Sequence, residues 1–221
     1  MRIHKEGLAT LTGLSVFILA TGLFGWYFRL VPLLMMTGGV MILFIFALYF
    51  FRDPLRRPPD DVISLVSPAD GKILEIEQVN EKEFFNGSVT RITIFLSLFD
   101  VHVNYSPFSG RVDHLEYKRG RYYPAQTERA SRYNVSFFTG LESEYGKVAF
   151  RQITGLFARR IVNYLKYDQC VNTGQKIGMI KFGSRVEVYL SDRFECRVCK
   201  GEKVRAGESV IAAVVDPKNE S

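Results

Sequence analysis

Cysteine is scarce in this chain: Cys170, Cys196 and Cys199 are the only three in 221 residues. So small and odd a number does not build the disulfide framework of a secreted domain, and a reducing compartment is the expectation. Cys196 and Cys199 form a C-x-x-C pair, but a structural zinc normally takes four ligands and Cys170 is the one nearby addition. No metal site is therefore predicted, and the pair reads as two positions on a β-strand. Heptad repeats are also missing, which removes the coiled coil of a membrane-fusion subunit. Charge of one sign is in modest excess, +6 net with 24% charged residues. That fraction argues against wholesale disorder, and the sign alone does not choose among nucleic acid, anionic lipid and acidic substrates.

Charge is most conspicuously absent near the N-terminus. Thr10 to Phe28 and Leu30 to Phe51 hold no charged side chain and are separated only by Arg29. Each is long enough as a helix to cross roughly 30 Å of hydrocarbon, so residues 1–51 are predicted to form a transmembrane helical hairpin. A re-entrant hairpin in one leaflet stays open, while the lack of a convincing cleavage site argues against a signal peptide. Gly22, Gly25, Gly38 and Gly39 are expected to let the helices approach, with Pro32 in the turn. Arg2 and Lys5 precede the first run, and Arg52, Arg56 and Arg57 follow the second. The positive-inside rule then puts both ends in the cytoplasm, against the cell (inner) membrane, and favours anionic membrane lipids over nucleic acid as partner.

Residues 52–61 contain Pro54, Pro58 and Pro59 among charges and read as a stiff linker. From 62 to 221 the chain reads as a mainly β domain. Short β-prone runs recur at Lys72–Val79, Val89–Leu98, Val135–Phe138, Val148–Ile153, Arg185–Leu190 and Val210–Val215. Gly155 to Leu165 is the clearest helical candidate and Lys118–Asn134 reads as a loop. Val171 to Ile177 and Val204 to Val210 share the pattern V-x-x-G-[QE]-x-[VI]. These segments resemble the glycine corners of biotinyl and lipoyl hammerhead domains, and so imply a barrel-sandwich-like core.

Three strings carry chemistry: Ser67–Ile73 (SPADGKI), Phe95–Val112 (FLSLFDVHVNYSPFSGRV) and Lys181–Leu190 (KFGSRVEVYL). By itself Gly183-Ser184 is a common turn dipeptide. A serine hydroxyl can also attack the carbonyl before it when the backbone bends towards it, and glycine permits that bend. In this combination and order, behind an apolar hairpin, the strings resemble the phosphatidylserine decarboxylase family, and within it the short archaeal-type and bacterial branch. The resemblance covers essentially the whole soluble domain.

What the resemblance implies is specific. The chain would cut itself between Gly183 and Ser184, and the downstream fragment would begin with a pyruvoyl group made from Ser184. That ketone would take the amine of phosphatidylserine as a Schiff base and accept the electrons released with carbon dioxide, giving phosphatidylethanolamine. His102, at a strand end, would manage the replacing proton. Asp70 matches an aspartate used in self-processing, but Tyr105 stands where longer members carry a second histidine. For Asp70 three roles therefore stay open: orienting His102, acting through water, or capping its turn. Ser131-Arg132-Tyr133-Asn134 keeps only the final asparagine of an Asn-Glu-Arg-Asn-like string, so Asn134 is a substrate-binding candidate. Arg159, beside Arg160, is another, against a plain surface role. Large and small fragments would stay associated, and homo-oligomer formation is left open.

A competing reading needs no lyase. SPADGKI and the two glycine corners also occur in hammerhead carriers and membrane adaptors, where Lys181 would carry a prosthetic group on a hairpin. A further reading keeps the enzyme and changes the amino-acid headgroup of its lipid.

Overall fold

The apolar N-terminal residues form two helices in the computed structural model, which describes residues 2–61, 63–156, 160–181 and 184–215. Helix α1 spans Lys5–Tyr27 and begins where the His4 side chain accepts the backbone N–H of Glu6 at 3.3 Å. Helix α2 spans Val31–Phe50, with Pro32 in its first turn, where a missing N–H costs nothing. Arg29 makes the tight connection at φ 52°, a left-handed corner taken here by a residue other than glycine. Both helices are long and apolar enough to cross a membrane by length and composition.

The helices meet along one seam. A side chain on Gly25 would press on Leu34, Thr37 donates to the Thr21 hydroxyl at 3.0 Å, and Gly7 lies against the Phe51 ring. Gly38 and Gly39 have nothing within 4 Å of a built Cβ and take no part, contrary to expectation. Each residue turns the helix by about 100°, which puts Gly39 about 140° around the helix from Leu34.

The chain divides into two units, residues 1–55 and 56–221. The segment expected as a linker is thus shared: Asp53 donates its N–H to Arg2 O at 2.8 Å in the first unit, while Arg56 pairs with Asp70 in the second.

The second unit is mainly β. Its strands are β1 (Ser64–Val66), β2 (Gly71–Glu81), β3 (Gly87–Leu96), β4 (Val103–Tyr105) and β5 (Gly110–Lys118). The short helix α3 (Glu128–Tyr133) precedes β6 (Ser136–Ser143), β7 (Gly146–Thr154), β8 (Arg160–Asn163) and β9 (Cys170–Val171). Then come β10 (Lys176–Lys181), β11 (Ser184–Leu190), β12 (Phe194–Cys196), β13 (Lys203–Val204) and β14 (Val210–Val214). A curled eight-stranded sheet runs β13-β2-β3-β11-β7-β6-β5-β9, and two three-stranded sheets run β4-β10-β8 and β1-β14-β12. Side chains from all three meet in one core that includes Leu65, Ile94, Phe150, Ile180, Val186 and Ile211. The two repeated corners are as expected: Gly174 and Gly207 sit at φ 73° and 70°.

Three local expectations change. Within the predicted helix Gly155–Leu165, Arg160–Asn163 is strand β8, paired with β10 from Arg160↔Lys181 to Asn163↔Gly178. Ile161 and Val162 are β-branched, and pairing with a buried strand overrides a helical spacing only a few residues long. The segment Lys118–Asn134 contains α3. Cys196 lies in β12, but Cys199 lies outside the strand and donates its N–H to Glu202 Oε2 at 3.0 Å, ahead of a corner at Gly201 with φ 92°.

Candidate active site

Strand β11 is the spine of the site. It lies between β3 and β7, with Ser184 opposite Leu96 and Thr154, and every one of its residues is buried. Alternation sends Val186, Val188 and Leu190 into the core and Arg185, Glu187 and Tyr189 to the other face. On that face Arg185 donates to Thr127 O at 3.0 Å, and Ser131 and Tyr189 each donate to Glu187 at 2.6 Å. Burial, reinforced by the Glu187 charge, pushes the Tyr189 hydroxyl far up, so it remains a donor. These bonds tie α3 and the loop before it to β11.

Ser184 is fully buried, and its Oγ has no hydrogen-bond partner among the described residues. Such an atom costs about 1–3 kcal/mol, and a native chain that retains one does so for a reason. Gly183 and Arg159 lie outside the described residues.

His102 is fully buried and immediately precedes β4. Its carbonyl accepts the N–H of Ile180 at 3.2 Å, which places it beside the end of β10, four residues before Ser184. Its Nδ1 lies 2.9 Å from Asp100 O. A carbonyl only accepts, so Nδ1 carries the hydrogen and Nε2 is the basic nitrogen. Asp100 is itself fixed, because its carboxylate accepts Ser97 N–H at 2.8 Å.

Asp70 is engaged elsewhere. Both carboxylate oxygens accept from Arg56 Nη2, at 2.8 and 2.7 Å, and one also accepts Ala206 N–H at 2.7 Å. Burial pushes its pKa up despite these donors, and the Asp100 charge adds to the rise. Arg56 also donates to Glu208 at 3.1 Å. The Ala206 contact lies in the turn between β13 and β14, not in Asp70's own turn.

Asn134 is 2% exposed. Its Oδ1 accepts Tyr123 N–H at 2.7 Å, and its Nδ2 donates to Tyr123 O at 2.8 Å and Thr154 O at 2.7 Å. Both amide hydrogens are spent on backbone, so Asn134 fastens the loop to Thr154, the residue opposite Ser184. Lys181 is the last residue of β10, opposite Arg160, and β10 and β11 belong to different sheets. It is therefore not at the tip of a hairpin, the placement the carrier reading needs. Among the described residues no group of three or more His, Cys, Asp or Glu could hold a metal ion.

Sequence reasoning missed a buried polar chain beside these groups. Asn163 donates to Gln152 Oε1 at 3.1 Å, Gln152 to Asn104 Oδ1 at 2.8 Å, and Asn104 to Pro68 O at 3.4 Å. Gln152 and Thr154 lie two apart on β7 and so share a face, which is also that of Ser184. The one signal was Asn104 in the string D-V-H-V-N; Gln152 and Asn163 stand in no pattern.

The sequence that carries this buried serine, the pinned histidine and the two apolar helices matches a known group. The profile described as phosphatidylserine decarboxylase matches residues 43–212, and the chain belongs to that family. Proteins named phosphatidylserine decarboxylase proenzyme are its relatives. The one from Desulfotalea psychrophila is 43% identical over 171 residues, 77% of this chain and 80% of its own. That from Carboxydothermus hydrogenoformans is 38% identical over 213 residues, 96% of each. That from Prosthecochloris aestuarii is 43% identical over 183 residues, 83% of each.

Proposed function

We propose that this chain is a self-processing carboxy-lyase that converts phosphatidylserine to phosphatidylethanolamine. The observation carrying the reading is the buried Ser184 hydroxyl at the head of β11, which has no partner among the described residues. Among the described residues nothing competes for its lone pairs, and the relatives are named as proenzymes. Ser184 Oγ adds to the preceding carbonyl carbon and the C–N bond opens, leaving an ester. Loss of the Ser184 α-proton expels the upstream carboxylate, and water then replaces the nitrogen, which leaves as ammonia. Ser184 thereby becomes the pyruvoyl group, which supplies an amine-reactive carbonyl and an electron sink.

The residues around it have separate tasks. His102, with Nδ1 held by Asp100 O, presents Nε2 as the atom that carries the proton replacing carbon dioxide. Asp70 positions, through Arg56 and Ala206, the turn that bears Gly207, which lies against the Tyr105 ring. The Asn104–Gln152–Asn163 chain gives the buried floor one rigid arrangement. Helices α1 and α2 act as the membrane anchor, and the basic residues at both ends of the hairpin support the cytoplasmic face of the cell membrane.

Intact mass measurement tests the reading. The wild-type chain is expected as two fragments joined at 183/184, Ser184→Ala as one uncut inactive chain, and His102→Gln as cut but unable to release carbon dioxide. An active wild-type chain in one piece would refute the assignment. Decarboxylation assayed against several aminophospholipids establishes the headgroup.

A further inference from the structure

The loops at the Ser184 end of the large sheet present a surface with no part in the chemistry above. Leu98 from the β3–β4 connection, Pro124 and Ala125 from the segment before α3, and Leu156 beyond β7 converge on Phe95 and Leu96. They enclose an apolar cleft of about 200 Å³. Leu96 is the β3 partner of Ser184, so the cleft lies beside the head of β11. Leu156 in the wall of the cleft is 51% exposed, and the loops that supply the other walls expose Phe99, next to Leu98, at 67% and Tyr122, two residues before Pro124, at 39%. Single exposed apolar residues are ordinary, but three on the loops that build one apolar cleft mark an interaction surface.

Charge points to an anionic partner. The segment 118–134 exposes Arg119, Arg121, Arg129 and Arg132, and its one acidic residue is Glu128. Guanidinium groups flanking aromatic and aliphatic side chains suit the boundary of an anionic bilayer, where phosphates meet the cations and the apolar groups enter beneath them. We propose that this face of the β unit docks on the surface of an anionic phospholipid bilayer, with Phe99, Tyr122 and Leu156 entering the headgroup–acyl boundary. This is a membrane contact separate from α1 and α2. It rests on the reading of the chain as a phospholipid enzyme only for the choice of partner.

The full chain carrying Trp26→Phe and Phe99→Trp provides the test, reconstituted in phosphatidylglycerol-containing vesicles with bromine on the upper acyl carbons. The introduced indole is expected to be quenched by the bromine and blue-shifted. Emission as in water, without quenching, overturns the docking, as it would if this face met a protein or a second copy instead. A second variant, Phe99→Asp with Leu156→Asp, is expected to cut itself fully and to lose about tenfold in turnover of vesicle phosphatidylserine. Its turnover of short-chain phosphatidylserine dispersed as monomers should change by less than about twofold. Equal loss on both substrates, or loss on neither, overturns the proposal. A quenched indole in a chain inactive on both substrates supports the docking while removing the lyase assignment.

Discussion

A guanidinium and a carboxylate taken out of water together are retained for position more than for energy. Arg56 and Asp70 are such a pair, with side-chain exposures of 8% and 14%. Burial raises the Asp70 carboxyl, so its protonation linkage favours the fold below the ordinary aspartate range, and that benefit fades as pH rises through the folded value. At neutral pH the pair adds little net stability, yet stranding one member is costly. Asp70→Ala and Arg56→Ala are each expected to lower unfolding stability by about 2–4 kcal/mol, and the double variant by much less than their sum. Thermal unfolding in detergent provides the cycle; additive losses would mean that the two side chains do not share one interaction. The sequence made Asp70 conspicuous by its motif, whereas Arg56 lay within an apparent linker with nothing local to announce a partner fourteen residues on.

The turn between β2 and β3 is held by one side chain. Glu81 Oε1 accepts Glu83 N–H at 2.9 Å, and Oε2 accepts the N–H groups of Phe84 and Phe85 at 2.8 and 2.9 Å. Burial alone would raise its pKa, but the Phe85, Glu83 and Phe84 donors outweigh burial and hold it below the usual glutamate range. A depressed carboxyl contributes stability that is present above its unfolded pKa and lost as pH falls through its folded one. Glu81→Gln should therefore cost about 1–2 kcal/mol at neutral pH and flatten the acid side of the stability profile. Unfolding followed from about pH 7 down to about pH 3 would show it, and an unchanged acid slope would remove Glu81 as the cause. At this scale long strands such as β2, β3 and β7 were legible, because alternation or apolar runs persist along them. Strand β8 was not, because four residues satisfy a helical and an extended pattern alike, and its pairing with β10 decides between them.

Across the whole molecule, the break proposed at Ser184 leaves strands of the two fragments paired with one another. Residues from 184 onward contribute β11 between β3 and β7, β13 on β2, and β14 beside β1. The small fragment is thus woven through the middle and one edge of the large sheet and into a second one, and its apolar residues Val186, Val188 and Ile211 belong to the common core. After cutting, the two fragments are expected to elute together in gel filtration in mild detergent and to part only in denaturant. Release of the small fragment under native conditions would mean that these pairings do not outlast the break. Retention matters for function, since the new N-terminus must stay at the head of β11 to act.

The sequence by itself determined what local chemistry and periodicity control. It specified two apolar helices, a β-rich remainder, positive-φ corners at Gly174 and Gly207, and a glycine–serine bond in a setting shared with one enzyme family. Tertiary structure alone decided which groups meet: Asp70 with Arg56, Asn134 with Tyr123 and Thr154, and Gln152 with Asn104. Each of these contacts joins residues on separate elements. Only the packing of strands around one core settles such pairings, because no local preference of either residue carries information about the other.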